Sequence, residues 1–298
     1  MTETNPYCSI IVPTHERPAA LARCLAALAR LDYPPARFEV VVIDDGSETD
    51  PREAVDRFKN DLAITLLSQP RKGPAAARNA GARKARGELL AFTDDDCEPD
   101  PGWLSALAAR FTAEGPHAFG GRTINALPDN LYSEASQALV DDLDACYGAQ
   151  PPGARFFTSN NMAVPAGPFH EVGGFDPAFS APAGEDRDFS ERWLLRGSRL
   201  VHVPEALVRH AHALGFGSFW RQHVGYGRAA RRLHVLRSAR GWDRPASEPL
   251  HFYMTLLLGP FLRARDTRGV ALATLRGLSQ CAQAAGYLSA AARPGAAP

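Results

Sequence analysis

The chain has 298 residues, 45% of them hydrophobic and 22% charged, an ordinary soluble globular composition with room for one large domain or two modest ones. Its five cysteines, Cys8, Cys24, Cys97, Cys146 and Cys281, are scattered and lack CxxC spacing, which argues against a disulfide framework or a zinc site and fits a reducing cytoplasm. Net charge is zero but unevenly placed: from Glu205 onward there are 13 Arg against 4 acids, a formal +9, and residues 1–204 carry the matching −9. That asymmetry suggests an acidic front and a basic tail facing phosphates of a substrate or of a membrane surface, or two solvated faces.

The opening segment lacks a basic stretch followed by an apolar one, so no signal peptide is expected, and no run of about 18 apolar residues predicts a spanning helix. "YCSIIVPT", 7–14, reads as a strand ending at Pro13, and 17–31 as a helix with Leu21, Leu25 and Leu28 at helical spacing. "FEVVVIDDGS", 38–47, is a second strand ending in two acids and a glycine turn, and 63–69 a third. An Ala-rich helix follows over 73–87, with Pro74 near its start and Gly87 past its end. "ELLAFTDDD", 88–96, is a fourth strand that runs into three aspartates.

Strands alternating with helices predict a mostly parallel sheet, whose ligands bind beyond the carboxyl ends of the strands. Three of these four ends carry polar clusters: Thr14-His15-Glu16-Arg17, Asp44-Asp45-Gly46-Ser47 and Asp94-Asp95-Asp96. Carboxylates at a strand end suit a hard divalent cation, Mg²⁺ or Mn²⁺. They also suit a helix start, since "DPGW", 100–103, would open one. Farther on, 118–124 and 155–164 read as strands, 185–197 as a helix, and 199–210 as two short strands around Pro204. A basic helix begins at 216, a helical apolar segment covers 249–291, and the final "ARPGAAP" is a disordered tail by composition.

With these stretches in order, the chain resembles the family 2 glycosyltransferases of GT-A fold. "SIIVPTHERP" resembles their first strand and nucleotide-facing loop, "VVIDDGSETD" their acidic turn, "RKGPAAARNAGARKARGELLAFTDDDCEPDPGWL" the unit ending in the DxD metal motif, and "TSNNMAVPAGPFHEVGGFDPAF…GEDRDFSERWLLRG" the acceptor segment and acidic pair. The resemblance spans about 7–212, which sets a catalytic domain at 1–212 and a helical extension at 213–298 for acceptor, dimer or membrane contact.

It implies a Rossmann-like, mostly parallel sheet flanked by helices, and an inverting, metal-dependent hexosyltransferase using a nucleotide-sugar donor, UDP favoured. The acceptor would be a glycan, lipid-linked or small-molecule hydroxyl, reached in the cytoplasm or at the inner face of the membrane; a homodimer is plausible. Pro13, Thr14 and Glu16 would line the nucleobase and ribose, and Asp45 or Asp44 would accept from the base. Arg78 would lie against the nucleobase, with Lys72 and Gly73 bordering it. Asp94, or Asp95 in exchange for it, would approach the ribose; Asp96 would hold the metal, and His210 would approach the metal or diphosphate. Asp186, beside Glu185, would be the general base; Asn160, Asn161 and Trp220 would serve the acceptor. The QxxRW sequence of processive relatives is absent, which favours single additions.

Other classes fit less well. A nucleotidyltransferase needs a glycine-rich phosphate loop that "VPTHERP" does not supply, and no GxGxxG follows the first strand as in a dehydrogenase. No nucleic-acid module is recognisable. A binding protein without catalysis would have little use for intact Asp96 and Asp186.

Overall fold

A computed structural model describes residues 5–148, 156–179, 183–241, 254, 258–262 and 264–291, with backbone alone for 144–148. The chain divides into two compact units, Met1–Ile124 with Pro152–Ala211, and Asn125–Pro151 with His212–Pro298. The second unit thus joins a segment from the middle of the chain to its C-terminal part.

The first unit is built on eight strands: β1 (Cys8–Thr14), β2 (Phe38–Asp45), β3 (Ile64–Gln69), β4 (Leu89–Thr93), β5 (Cys97–Pro99), β6 (Ala118–Asn125), β7 (Asn161–Pro165) and β8 (Leu200–His210). They lie in the order β3-β2-β1-β4-β7-β6-β8-β5. The first four are mutually parallel, whereas β7 runs antiparallel to β4 and β6, and β5 antiparallel to β8. The helices of this unit are α1 (Pro18–Leu28), α2 (Arg52–Asp56), α3 (Pro74–Lys84), α4 (Trp103–Glu114), α6 (Ala166–Val172) and α7 (Glu185–Leu195), with α5 (Leu131–Gly148) falling in the second unit.

Central strands buried on both faces read as unbroken apolar runs, and alternate side chains serve opposite layers. Ile10 and Val12 pack with Leu21, Leu25 and Leu28 of α1, while Ile11 and Ile43 pack with the alanines of α3 and with Phe189 and Trp193 of α7. Pro13 is compatible with a central strand because pairing of β1 with β4 ends at Ile11↔Phe92, before the missing N–H matters.

Two expectations change. Residues 199–210 form one strand rather than two, because β5 pairs only with Val208, Arg209 and His210 and leaves that flank of β8 open at Pro204. Short helices α2 and α6 and the longer α5 lie in stretches for which no element is predicted. The helix predicted from "DPGW" does begin, at Trp103.

Among the described residues, the second unit contains α5, α8 (Phe216–Ala239), a short helical stretch at 258–262 and α9 (Thr267–Ala291). A Cβ on Gly227 would sit 1.9 Å from the Gln283 carbonyl and one on Gly286 2.1 Å from the Val224 carbonyl, so α8 and α9 meet backbone to backbone. The Tyr132 ring of α5 packs at a tilt against Phe219 with centroids 5.7 Å apart, and Arg276 of α9 pairs with Asp142 of α5. These contacts draw α5 out of the first unit's sequence. No described helix is long and apolar enough to cross a membrane. Residues 249–253, 255–257 and 263 of the predicted apolar segment, and the tail from 292, lie outside the described residues.

Candidate active site

Strand register places the polar clusters side by side. Thr14 pairs with Asp44 and Asp44 with Ser68, so the ends of β1, β2 and β3 form one edge. Three loops on that edge are fastened together. Glu16 accepts from the backbone N–H of Glu48 and Thr49 and donates its own N–H to Ser47 Oγ, in a left-handed conformation at φ 56° that is rare for a residue with a side chain. The Asp45 carboxylate accepts from Gln69 Nε2 at 2.7 Å, Lys72 N at 2.9 Å and Gly73 N at 2.8 Å. Gly46, at φ 76°, lets the turn approach the next loop; a Cβ there would lie 2.7 Å from Arg71 N. Glu16 and Asp45 are thus engaged in shaping the edge, and Asp44, whose Oδ1 accepts from Ser47 N, stands beside Thr14.

The three aspartates turn in different directions. Asp95 faces inward: Thr14 Oγ1 donates to it at 2.7 Å, and burial pushes its carboxyl up to about 7 although Arg17 pulls the other way. It closes the end of β1 onto the turn, so an exchange of roles with Asp94 is not what the geometry provides. Asp94 receives Arg78 Nη2 at 2.5 Å. Asp96 lies between two groups, with Arg17 Nη1 at 2.5 Å from Oδ2 and His210 Nε2 at 3.2 Å from Oδ1. His210 arrives through strand pairing, since Cys97 is opposite His210 and Ala211 N donates to the Asp96 carbonyl. Burial draws the His210 pKa down, but the hydrogen bond and charge of Asp96 outweigh it and the net shift is upward.

Arg78 is the main departure from expectation. Rather than lying open to a nucleobase, it is 2% exposed and bridges Asp94 to Glu185, the latter at 3.0 Å from Nη1. This buried bridge ties the aspartate turn to the first turn of α7. Glu185 is enclosed with it, whereas Asp186 next door is only half-buried and its Oδ1 accepts from Arg187 N. Burial raises both carboxyls above the ordinary range, with Asp186 adding to the rise of Glu185 and Arg78 opposing it.

Asn161 is 1% exposed and its carboxamide is spent in the core, accepting from Trp103 Nε1 and donating to the carbonyls of Arg122 and Ala206. It pins β7 to its neighbours. Asn160 Oδ1 accepts from Thr158 Oγ1 in a local turn. Trp220 lies on α8 against Phe216, in the second unit. Arg17 is the site residue that sequence reasoning passed over; its place beside a strand end opposite an acidic cluster was the available signal.

An open sheet with acid-lined carboxyl ends, crossed by antiparallel β7, is the GT-A arrangement, and solved structures agree in fold. A mannosyltransferase from Pyrobaculum calidifontis, solved with GDP-Man and Mn²⁺, superposes with a TM-score of 0.67 at 20% identity over 96% of this chain and 88% of its own. The 1–349 segment of S. aureus TarS, in complex with UDP-GlcNAc, gives 0.59 at 17% identity over 95% and 90%. The sequence model of Glycosyl transferase family 2 matches residues 9–173, and the chain belongs to that family. Among curated relatives, the validoxylamine A glucosyltransferase of Streptomyces hygroscopicus subsp. limoneus is 30% identical over 64% of this chain and 48% of its own. The pre-mycofactocin glycosyltransferase of Mycobacterium tuberculosis is 29% identical over 76% and 47%. The chain thus spans about half the length of these curated relatives.

Proposed function

We propose that the chain transfers a sugar from a nucleoside-diphosphate donor to a hydroxyl acceptor in one inverting displacement, one residue per encounter. The observation that carries this reading is the Asp94–Arg78–Glu185 bridge, at 2.5 and 3.0 Å, which holds the first turn of α7 and its accessible Asp186 beside the aspartate turn.

Asp186 takes the proton of the acceptor hydroxyl, a weak nucleophile until deprotonated; burial raises its pKa and makes it a stronger base than an ordinary aspartate. Glu185, enclosed with Arg78, positions rather than reacts. Thr14, Glu16, Asp44, Asp45, Lys72 and Gly73 frame the nucleobase and ribose, with Asp44 the better-placed acceptor for a base N–H. Asp96 and His210 fit a divalent ion, because they present an oxygen and a nitrogen donor facing each other at 3.2 Å. A mixed pair of this kind suits Mn²⁺, while Mg²⁺ favours the carboxylate. When bound, such an ion neutralises the charge that develops on the leaving diphosphate. GDP-Man and UDP-GlcNAc in the two structural neighbours support both nucleotides as donor candidates. The basic α8 and the exposed Phe216, Val270 and Leu288 support acceptor, membrane or homodimer contact for the second unit.

Donor hydrolysis and thermal shift against a panel of nucleotides and nucleotide sugars, with and without Mn²⁺, test the reading in wild type, Asp96→Ala and Asp186→Asn. One nucleoside diphosphate should stabilise the wild type only with metal, Asp96→Ala should abolish this, and Asp186→Asn should bind but not turn over. A wild type that responds to no nucleotide with any metal overturns the proposal.

A further inference from the structure

Arg17 sits where the proposed ion would be felt. Its Nη1 lies 2.5 Å from Asp96 Oδ2 and 3.2 Å from Asp95 Oδ1, while Asp96 Oδ1 faces His210. Unlike enclosed Arg78, the Arg17 side chain is 49% exposed, on a long stem at the N-terminal cap of α1, and is able to leave without opening the core. With Glu185, which shares Arg78, four carboxylates face two guanidiniums, and only the Arg17 charge lies directly on Asp96. A divalent ion held by Asp96 places a second positive charge against Arg17 at short range. A diphosphate arriving with the ion offers the displaced guanidinium a phosphate to grip.

We propose that Arg17 is an exchangeable counter-ion that occupies the aspartate turn of the bare protein, opposes the divalent ion there, and passes to the diphosphate when ion and nucleotide bind together. This rests on the proposed metal-dependent reading of Asp96 and His210. Its consequence is order: the ion enters with the nucleotide rather than ahead of it. Arg17 thereby acts as a positioning residue for donor binding.

The test is Mn²⁺ binding followed by electron paramagnetic resonance and calorimetry, alone and with UDP or GDP, in wild type, Arg17→Ala and Arg17→Gln, with folding checked by circular dichroism. Without nucleotide, both variants should bind Mn²⁺ about tenfold more tightly than wild type, because a repelling charge has gone. With Mn²⁺ present, both should bind the nucleoside diphosphate about tenfold more weakly. Folded variants that bind bare Mn²⁺ no tighter than wild type overturn the exchange and leave the metal reading standing. Absence of Mn²⁺ binding in every protein, with or without nucleotide, overturns the metal reading and this assignment together.

Discussion

Replacing Arg78 with methionine removes the cation from a buried bridge while keeping most of its volume. Asp94 at 2.5 Å and Glu185 at 3.0 Å then lose the guanidinium between them, and Glu185 is only 3% exposed. Its Oε2 already has no hydrogen-bond partner among the described residues, so with the guanidinium gone Glu185, raised to about 7 by burial, must stay charged without a partner or take up a proton. Breaking a buried pair by deleting one member costs about 3–5 kcal/mol. The Asp94 side chain, at 27% exposure, can rehydrate, which points to the lower end, about 3 kcal/mol. At about 2–4 °C per kcal/mol for a unit of this size, Tm should fall by roughly 6–12 °C. Urea unfolding followed by circular dichroism gives the free energy directly. Arg78→Met with Glu185→Leu removes the stranded charge as well and should recover more than half the loss. A single variant that loses under about 1 kcal/mol, or a double variant no more stable than the single, refutes the bridge as a stabilising element.

Asp186→Asn should lower turnover by about 10²–10⁴ with nucleotide affinity nearly unchanged. Because burial holds the Asp186 carboxyl above its ordinary range, wild-type kcat/KM should fall on the acid side with a midpoint above that range; a midpoint within it counts against Asp186 as the base. Gly46→Ala must adopt φ 76° and place its Cβ 2.7 Å from Arg71 N, so it should cost about 1–2 kcal/mol and weaken nucleoside diphosphate binding in a calorimetric titration; unchanged affinity would remove the 44–47 turn from the nucleotide site. In the second unit, His223 is buried beside Phe219 and Tyr226 with neither ring nitrogen partnered among the described residues, and burial depresses its pKa to about 4. A depressed folded value means that stability present above the ordinary histidine value, about 6.5, is lost as pH falls toward about 4. Between about pH 7 and about pH 5 the loss should be about 2 kcal/mol, absent in His223→Leu; equal acid sensitivity in both proteins would exclude His223 as its source.

What the sequence made legible was whatever depends on local pattern. β1, β2 and β4 are buried on both faces, so their apolar runs are legible in the sequence, and their polar ends mark the candidate edge. Less legible was which polar group at that edge faces a ligand and which faces its neighbours. Asp45 and Glu16 look like ligand contacts in a linear reading, yet they fasten adjacent loops across 27 and 32 residues of sequence. Asn161 sits in a stretch that suggests an acceptor pocket, but its carboxamide satisfies two carbonyls and an indole from three other segments. Such satisfaction is a property of the folded neighbourhood and leaves no periodic trace. The single strand at 200–210 was missed for a similar reason: Pro204 argues for a break unless the length of the neighbouring strand is known.

Three adjacent aspartates at a strand end demand positive charge, and the fold supplies it from two places with different accessibility. Arg78 comes from α3 and is sealed beneath the site, so its charge is permanent and ties the turn to α7. Arg17 comes from the N-terminal cap of α1 and remains half in water, which is what the proposed exchange requires. A site neutralised only by buried arginines would gain little from a divalent ion, and one with none would be costly to fold without it. Splitting the counter-charge between a fixed and a removable arginine lets the first unit hold its aspartates together when empty and still leaves room for cation and diphosphate to enter as a pair. The two oxygens of Asp96 face Arg17 and His210, so the proposed exchange would turn on a single carboxylate.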